Sequence, residues 1–520
     1  MGKDKFLKGA LVLTIAGLLV KVLGSVNRIL LSRMLGGEGI GLYQMAYPVY
    51  LLMLSICSAG VPVAVSIIVA EKVAKEDYAG AHRIFKVTMR LMCAFGLLFA
   101  LTLYGLAGVL VQSGIIRDPR AYPALLVLTP AVFFSSILAS FRGYFQGYQM
   151  MVPPAVSQIL EQFVRVMTMI LLAWWLLPYG LTWAAAGAAF GAVPGGLTGL
   201  IVLTFFYRKA ARQWQEKIKT QVRQTAESTR QIAKRLILLA IPSSCANLLI
   251  PVTSAIDMVL VPNALGAAGF AVAAATTLFG YLSGMAQPLM MLASIPTTSL
   301  TLSLVPAVSE AFTLNRPDEV RRQIAFALKI CLLIVLPAAV GMAVLAEPIS
   351  GSLYGTLKAA PVIAHLAPSI IFLGIYQVTT GALQGIGKTA VPMWNMFAGS
   401  IVKAVAVWYL TSQAWLNILG AAWASNINFF VVACLNLFFL RKSRIDFPWK
   451  EGVRILAASL LMGAGAVGVL HLLAGSGLVL RLCAGMVVSI IIYVAAVALM
   501  GIVTKEECRR IPFIGRLLRK

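Results

Sequence analysis

Leu7–Leu31 reads LKGALVLTIAGLLVKVLGSVNRILL. As a helix this run is about 37 Å long, enough to cross the ~30 Å hydrocarbon core of a bilayer. Lys21 and Arg28 lie inside it, seven residues apart and so on one helical face. A charged side chain at the bilayer centre costs roughly 2.5–3.5 kcal/mol on insertion scales, and is kept where it faces a wet interior or an anionic partner. Two cations on the first membrane helix therefore predict a pathway for something negative.

Working outward, the whole chain has the composition of a polytopic membrane protein. Of its 520 residues 60% are hydrophobic and only 12% charged, and the mean hydropathy is +0.89. About fourteen runs reach membrane length, at 7–31, 42–70, 87–111, 121–141, 155–177, 183–206, 236–261, 272–305, 325–345, 362–385, 391–410, 418–440, 453–473 and 479–503. Strands of a membrane barrel are far shorter, so the expected class is all-α. The run at 272–305 exceeds one straight crossing and contains Pro288 and Pro296, which predicts a kink.

The net charge of +25 invites a nucleic-acid reading, but the placement of the charge excludes it. With the amino terminus inside, roughly three quarters of the Lys and Arg fall on cytoplasmic segments, which is the topological asymmetry of a membrane protein. The basic segment 207–235 carries Arg208, Lys209, Arg212, Lys217, Lys219, Arg223, Arg230, Lys234 and Arg235, and the tail adds Arg509, Arg510, Arg516, Arg519 and Lys520. An even helix count puts both termini in the cytoplasm. Membrane lipids are the expected partners of these charges.

A self-comparison organises the chain further. Residues 10–39 align without gaps onto 240–269, matching Leu18 with Leu248, Leu35 with Leu265, Gly36 with Gly266 and Gly39 with Gly269. Glu71, Arg83 and Arg90 meet Glu310, Arg322 and Lys329 at an offset of 239, and Gln146, Gly147, Pro154 and Arg165 meet Gln384, Gly385, Pro392 and Lys403 at 238. Gly187, Ala188, Ala189, Arg208 and Lys209 meet Gly420, Ala421, Ala422, Arg441 and Lys442 at 233. Drifting offsets with landmarks in order are what duplication followed by loop insertions leaves. Six spans per copy make the repeat parallel, with a pseudo-two-fold axis along the membrane normal. The expected layout is an amino-terminal lobe at 1–206, a basic linker at 207–235, a second lobe at 236–440, and two additional helices with a basic tail at 441–520.

The fifth span carries Gln158, Glu161 and Arg165 on one stripe, and its repeat partner supplies Lys403. The pseudo-two-fold relation predicts that Arg165 and Lys403 face one another at similar depth. Span one adds Asn27 to Lys21 and Arg28, and span seven adds Asn247, Ser254 and Asp257. Glu161, four residues before Arg165, suits either an intrahelical ion pair or a functional carboxylate; Asp257 suits a counter-ion for Arg28 or a proton site. Lys21, Arg28, Arg165 and Lys403 against Glu161 and Asp257 leave the set net positive, as a phosphate or diphosphate ligand requires. Gly187, Gly191 and Gly195 read as close helix packing. No phosphate-binding loop of a nucleotide motor, no metal-ligand spacing and no cofactor motif is present, and the seven cysteines form no disulfide framework.

Four segments, LVKVLGSVNRILLSRMLGGEGIGLYQMAYP from Leu19, GVPVAVSIIVAE from Gly60, SFRGYFQGYQMMVPPAVSQILEQFVRV from Ser140 and LPYGLTWAAAGAAFG from Leu177, closely resemble the stage V sporulation protein B family. That family is a polysaccharide-exporter-like branch of the multidrug/oligosaccharidyl-lipid/polysaccharide superfamily. The resemblance implies two six-helix lobes in a V around a central cavity, two extra helices as in lipid II flippases, and a role in spore cortex peptidoglycan synthesis in an endospore-forming bacterium. In the flippases, arginines on the first helix line the cavity, and Lys21, Asn27 or Arg28, and Arg33 occupy the corresponding context. Arginines those relatives carry on the second and eighth helices are replaced here by Leu52-Met53-Leu54 and Met285-Ala286-Gln287-Pro288. That leaves the charge role to Arg165 and Lys403.

The expected activity is alternating-access transport of an isoprenoid diphosphate-linked saccharide, a peptidoglycan precursor, by a multi-pass cell-membrane protein that is not an enzyme. External loops of roughly 5 to 15 residues are too short and too poor in acids and histidines for a glycan polymerase. A small-molecule or drug exporter on the same architecture is an alternative that the positive balance disfavours. A scaffold that gathers cell-wall synthesis enzymes through the basic loop is a third reading.

Overall fold

The computed structural model describes residues 2–221, 227–442 and 447–502, and every regular element among them is helical. Arg223 and the basic tail lie outside the described residues.

Among the described residues eleven helices are long and apolar enough to cross a membrane, or twelve if Val272–Ala293 and Ile295–Thr313 form one broken span. The sequence reading expects about fourteen, and two places account for the difference. The expected runs 7–31 and 42–70 appear as the single stretch Val12–Ala74 of 63 residues, about 95 Å if it were continuous helix. That stretch is interrupted at Gly36, with φ 66° and ψ −173°, a backbone conformation open mainly to glycine, and again at the turn Ala59–Gly60. The expected run 236–261 lies in the helix Thr229–Ala267, several of whose side chains are outside the described set.

The long run at 272–305 is broken as its prolines require. Its first helix, Val272–Gly280, passes into a π-helical turn at Tyr281–Ala286, then Gln287–Ala293, a break at Ser294, and Ile295–Thr313. Pro288 and Pro296 each sit in the first turn of the helix that follows an irregularity, where a missing N–H costs nothing.

Packing divides the chain into two units, 1–284 and 285–520. In the first, Val65, Ile68, Val69, Ile84, Phe141, Tyr144 and Phe145 form the buried core. An aromatic cluster extends it: Phe85 stacks on Tyr144 with ring centroids 4.4 Å apart, and Trp214 meets Tyr148 at 4.8 Å. In the second, the two carboxy-terminal helices Trp449–Leu472 and Leu478–Leu499 pair with each other, and Leu332, Ile375, Ile455 and Ala496 share one apolar cluster. The Tyr493 hydroxyl donates to the Leu333 carbonyl at 2.8 Å.

The duplicated landmarks make duplicated contacts. A Cβ built on Gly147 would stand 2.6 Å from Val69 Cβ, and one on its repeat partner Gly385 would stand 2.7 Å from Val308 Cγ1. Val69 and Val308 are themselves repeat partners, at the offset of 239. The same small-to-branched packing therefore recurs inside each unit.

Packing and repeat assign one region differently. The helices at 229–284 align with the start of the chain, yet they pack within the first unit. A Cβ on Gly41 would strike the Thr276 carbonyl, and one on Gly60 the Ala240 carbonyl. The Gln44 amide donates to the Ser283 carbonyl at 2.6 Å, and the Ser32 hydroxyl to the Gly284 carbonyl at 3.0 Å.

Candidate functional site

The helix Val152–Leu176 opens with Pro153 and Pro154 in its first turn and places Gln158, Glu161 and Arg165 on one stripe. Against it lies the helix Ala192–Thr220, brought close by glycines. A Cβ on Gly195 would stand 2.9 Å from Arg165 Cβ and 3.0 Å from the Glu161 carbonyl oxygen. A Cβ on Gly191 would stand 2.9 Å from the Arg165 carbonyl oxygen, with Met169 closer still. The approach of these backbones holds the charged stripe in place.

Glu161 bridges two arginines. Arg165 Nη2 donates to Oε1 at 2.7 Å, the intrahelical pair that the four-residue spacing allows, and Arg142 Nη2 donates to Oε2 at 2.5 Å. Among the described residues each guanidinium leaves its Nε–H buried with no hydrogen-bond acceptor. Two arginines on one carboxylate also leave one positive charge uncompensated within the triad, in surroundings that screen it poorly. Such a group of unspent donors is suited to an oxyanion.

A tyrosine stripe from the first helix faces the same place. Tyr43 stacks on Tyr47 with centroids 5.3 Å apart, and Tyr47 meets Tyr50 at 5.7 Å. All three lie within electrostatic reach of Arg165, and Arg28 acts on Tyr43 as well. Asn27 is buried, its amide donating to Met169 Sδ one turn beyond Arg165 at 3.2 Å. The structure thus gathers Asn27, Arg28, Glu161 and Arg165 of the expected set, with Gln158 half-buried one turn before Glu161.

The remaining candidates differ in their burial. Lys21 and Arg33 are exposed. Asp257 is buried on the helix Thr229–Ala267, and the side chain of Asn247 on the same helix lies outside the described residues. Lys403 is buried on Ala390–Thr411, in the second unit. No group of three or more metal-ligating side chains occurs among the described residues.

Arg142 and the tyrosines were missed by sequence reasoning. The expected span 121–141 stops one residue before Arg142, which places that arginine in a loop; the helix in fact runs Thr129–Gly147 and carries it inward. Tyr43, Tyr47 and Tyr50, at i, i+4 and i+7, have the ordinary spacing of a packing stripe, and only their proximity to Arg165 distinguishes them.

A second polar cluster lies in the same unit. Arg120 donates to Asp118 from both Nε, at 3.0 Å, and Nη2, at 2.8 Å, and its Nη1 reaches Glu38 at 2.6 Å. Asp118 is buried and sits just before the span that begins at Pro119. Burial alone would raise its carboxyl, but hydrogen bonds from Arg120 and Thr276 prevail and hold it below the ordinary aspartate value.

Comparison with known proteins agrees with this architecture. A family profile described as "Polysaccharide biosynthesis protein" matches residues 6–312, and one described as MatE matches 242–410. The chain is 32% identical to stage V sporulation protein B of Bacillus subtilis (strain 168), over all of both chains. It is 28% identical to the lipid II flippase MurJ of the same organism, over 77% of this chain and 76% of that one. A solved structure of lipid II flippase MurJ in an inward closed conformation superimposes with a TM-score of 0.70 at 16% identity, covering 94% of this chain and 98% of the other. The chain therefore belongs to the stage V sporulation protein B family of polysaccharide biosynthesis proteins, and is a multi-pass membrane protein.

Proposed function

We propose that this transporter flips an isoprenoid diphosphate-linked saccharide, a peptidoglycan precursor used in spore cortex synthesis, from the inner to the outer leaflet by alternating access. The observation that carries this reading is the Arg142–Glu161–Arg165 triad, in which two half-buried guanidinium groups each retain a buried, unspent Nε donor beside three tyrosines. A diphosphate supplies the acceptors and the charge that such a site lacks. The kinship with stage V sporulation protein B and with a lipid II flippase supports the substrate class. Arg165 and its repeat partner Lys403 are the cations this reading assigns to the head group, and the lipid tail stays in the bilayer. Both termini lie in the cytoplasm, as the distribution of Lys and Arg requires. The two packed units supply the bodies that alternating access moves.

The experiment is a charge reversal at both cations. Arg165→Glu with Lys403→Glu abolishes delivery of the lipid-linked precursor to the outer leaflet while the protein remains in the membrane at its usual level. Normal delivery by that double variant refutes the site.

A further inference from the structure

The duplicated frame shows that the Glu161 carboxylate is not required for packing. By the repeat offsets, Glu161 corresponds to Gly399, Arg165 to Lys403, Arg142 to Thr380, and Gly195 on the facing helix to Asn428. The contact is kept while its members change places. Gly195 lies against Glu161 in the first unit, and in the second a Cβ on Gly399 would stand 2.7 Å from Asn428 Oδ1. One copy therefore joins its helices with a glycine against the Glu161 main-chain carbonyl, leaving the carboxylate out of the contact, and the other with a glycine against an amide side chain. The same helix pair packs either way, so the negative charge in the first copy calls for a different explanation.

The triad's geometry supplies one. A purely structural Arg–carboxylate pair gains most from a bidentate fork, with both donors of one guanidinium spent on both oxygens. Here each arginine reaches a different oxygen with a single Nη, and both Nε–H groups are left without acceptors. Glu161 thus occupies only part of a two-arginine site. Beside Oε2 stands Gly199, where a built Cβ would lie 3.3 Å away, so this residue itself contributes no side chain against the carboxylate.

We propose that Glu161 is a resident stand-in for the transported anion: it holds Arg142 and Arg165 together in the empty transporter, and a diphosphate group takes over both guanidinium groups by displacing it. The proposal rests on the reading that the substrate carries a diphosphate. It gives the empty protein a satisfied site, and it makes release cheaper, because the carboxylate returns as the head group leaves. No bond is made or broken in the exchange. Arg142 becomes a binding residue and Glu161 a specificity residue that competes against weakly charged ligands.

The test measures binding of inorganic pyrophosphate to the full-length protein in lipid nanodiscs by calorimetry, with a parallel arm in which an isoprenoid diphosphate is supplied in the nanodisc. Removing the competitor in Glu161→Gln tightens pyrophosphate binding roughly tenfold, and Arg142→Gln weakens it by a similar factor. The charge-balanced double variant Glu161→Gln, Arg142→Gln loses the gain. Infrared difference spectra of the wild-type protein, which do not depend on any variant folding, show the carboxylate band of Glu161 shifting when diphosphate is added. A shift in either arm supports the exchange: with inorganic pyrophosphate the diphosphate alone suffices, and with the lipid arm alone the head group is read together with its tail. Unchanged or weaker binding by folded Glu161→Gln, or diphosphate binding with no carboxylate shift, overturns it. Exchange without saccharide transport in liposomes sinks the flippase reading and leaves this site standing.

Discussion

The Thr276 hydroxyl donates to Asp118 Oδ2 at 2.7 Å, joining the loop before Pro119 to the helix Val272–Gly280, 158 residues later in the chain. Because Asp118 also takes a bidentate contact from Arg120, and Arg120 in turn holds Glu38, one buried carboxylate ties three chain segments together.

That carboxylate sets an acid limit on stability. Its folded-state value lies below the ordinary aspartate value, so its contribution is fully present above about pH 4 and is lost as the pH falls through the lower, folded value. Asp118→Asn removes the charge-assisted bonds, costs about 1–3 kcal/mol at neutral pH, and flattens the acid limb below about pH 4. Thermal unfolding in detergent at a series of pH values checks both. Equal acid sensitivity in wild type and variant contradicts the assignment.

The Arg235–Glu71 pair, which links the helix Thr229–Ala267 to the end of Val61–Ala74, makes the opposite case. Both side chains are more than a third exposed, so solvent screens the attraction and a double-mutant cycle returns no more than about 1 kcal/mol. A coupling of several kcal/mol shows that the pair is drier than its exposure indicates.

Glycine packing carries more weight than either pair. Gly191→Leu drives a branched side chain into Met169 and the Arg165 carbonyl, and separates the two helices that hold the charged stripe. We expect a loss of about 1–3 kcal/mol or more in stability, together with weaker pyrophosphate binding. Gly17, which meets nothing within 4 Å of a built Cβ, is the control, and Gly17→Leu leaves both unchanged.

The spans were legible in the sequence because a bilayer demands long apolar runs, and nearly every expected run has a helix beneath it. The irregular passage at 281–296 was legible through its prolines. Which helices share a unit was not. The helices at 229–284 join the first unit through carbonyls that meet Gly41 and Gly60, and backbone against backbone leaves no hydrophobic period to read. At the site, the Glu161–Arg165 pair followed from four-residue spacing, whereas Arg142 depended on where a helix ends, the least determined feature of any hydropathy pattern.

The decisive measurement is made on purified protein in liposomes loaded with an isoprenoid diphosphate-linked saccharide, scoring how much of it becomes accessible on the far side with and without a proton or sodium gradient. Wild-type protein moves the diphosphate-linked lipid, Arg165→Glu with Lys403→Glu does not, and a lipid-linked saccharide without the diphosphate stays behind. Equal movement of charged and uncharged lipids, or of the charged lipid by the double variant, contradicts a site built on arginines for an anionic head group.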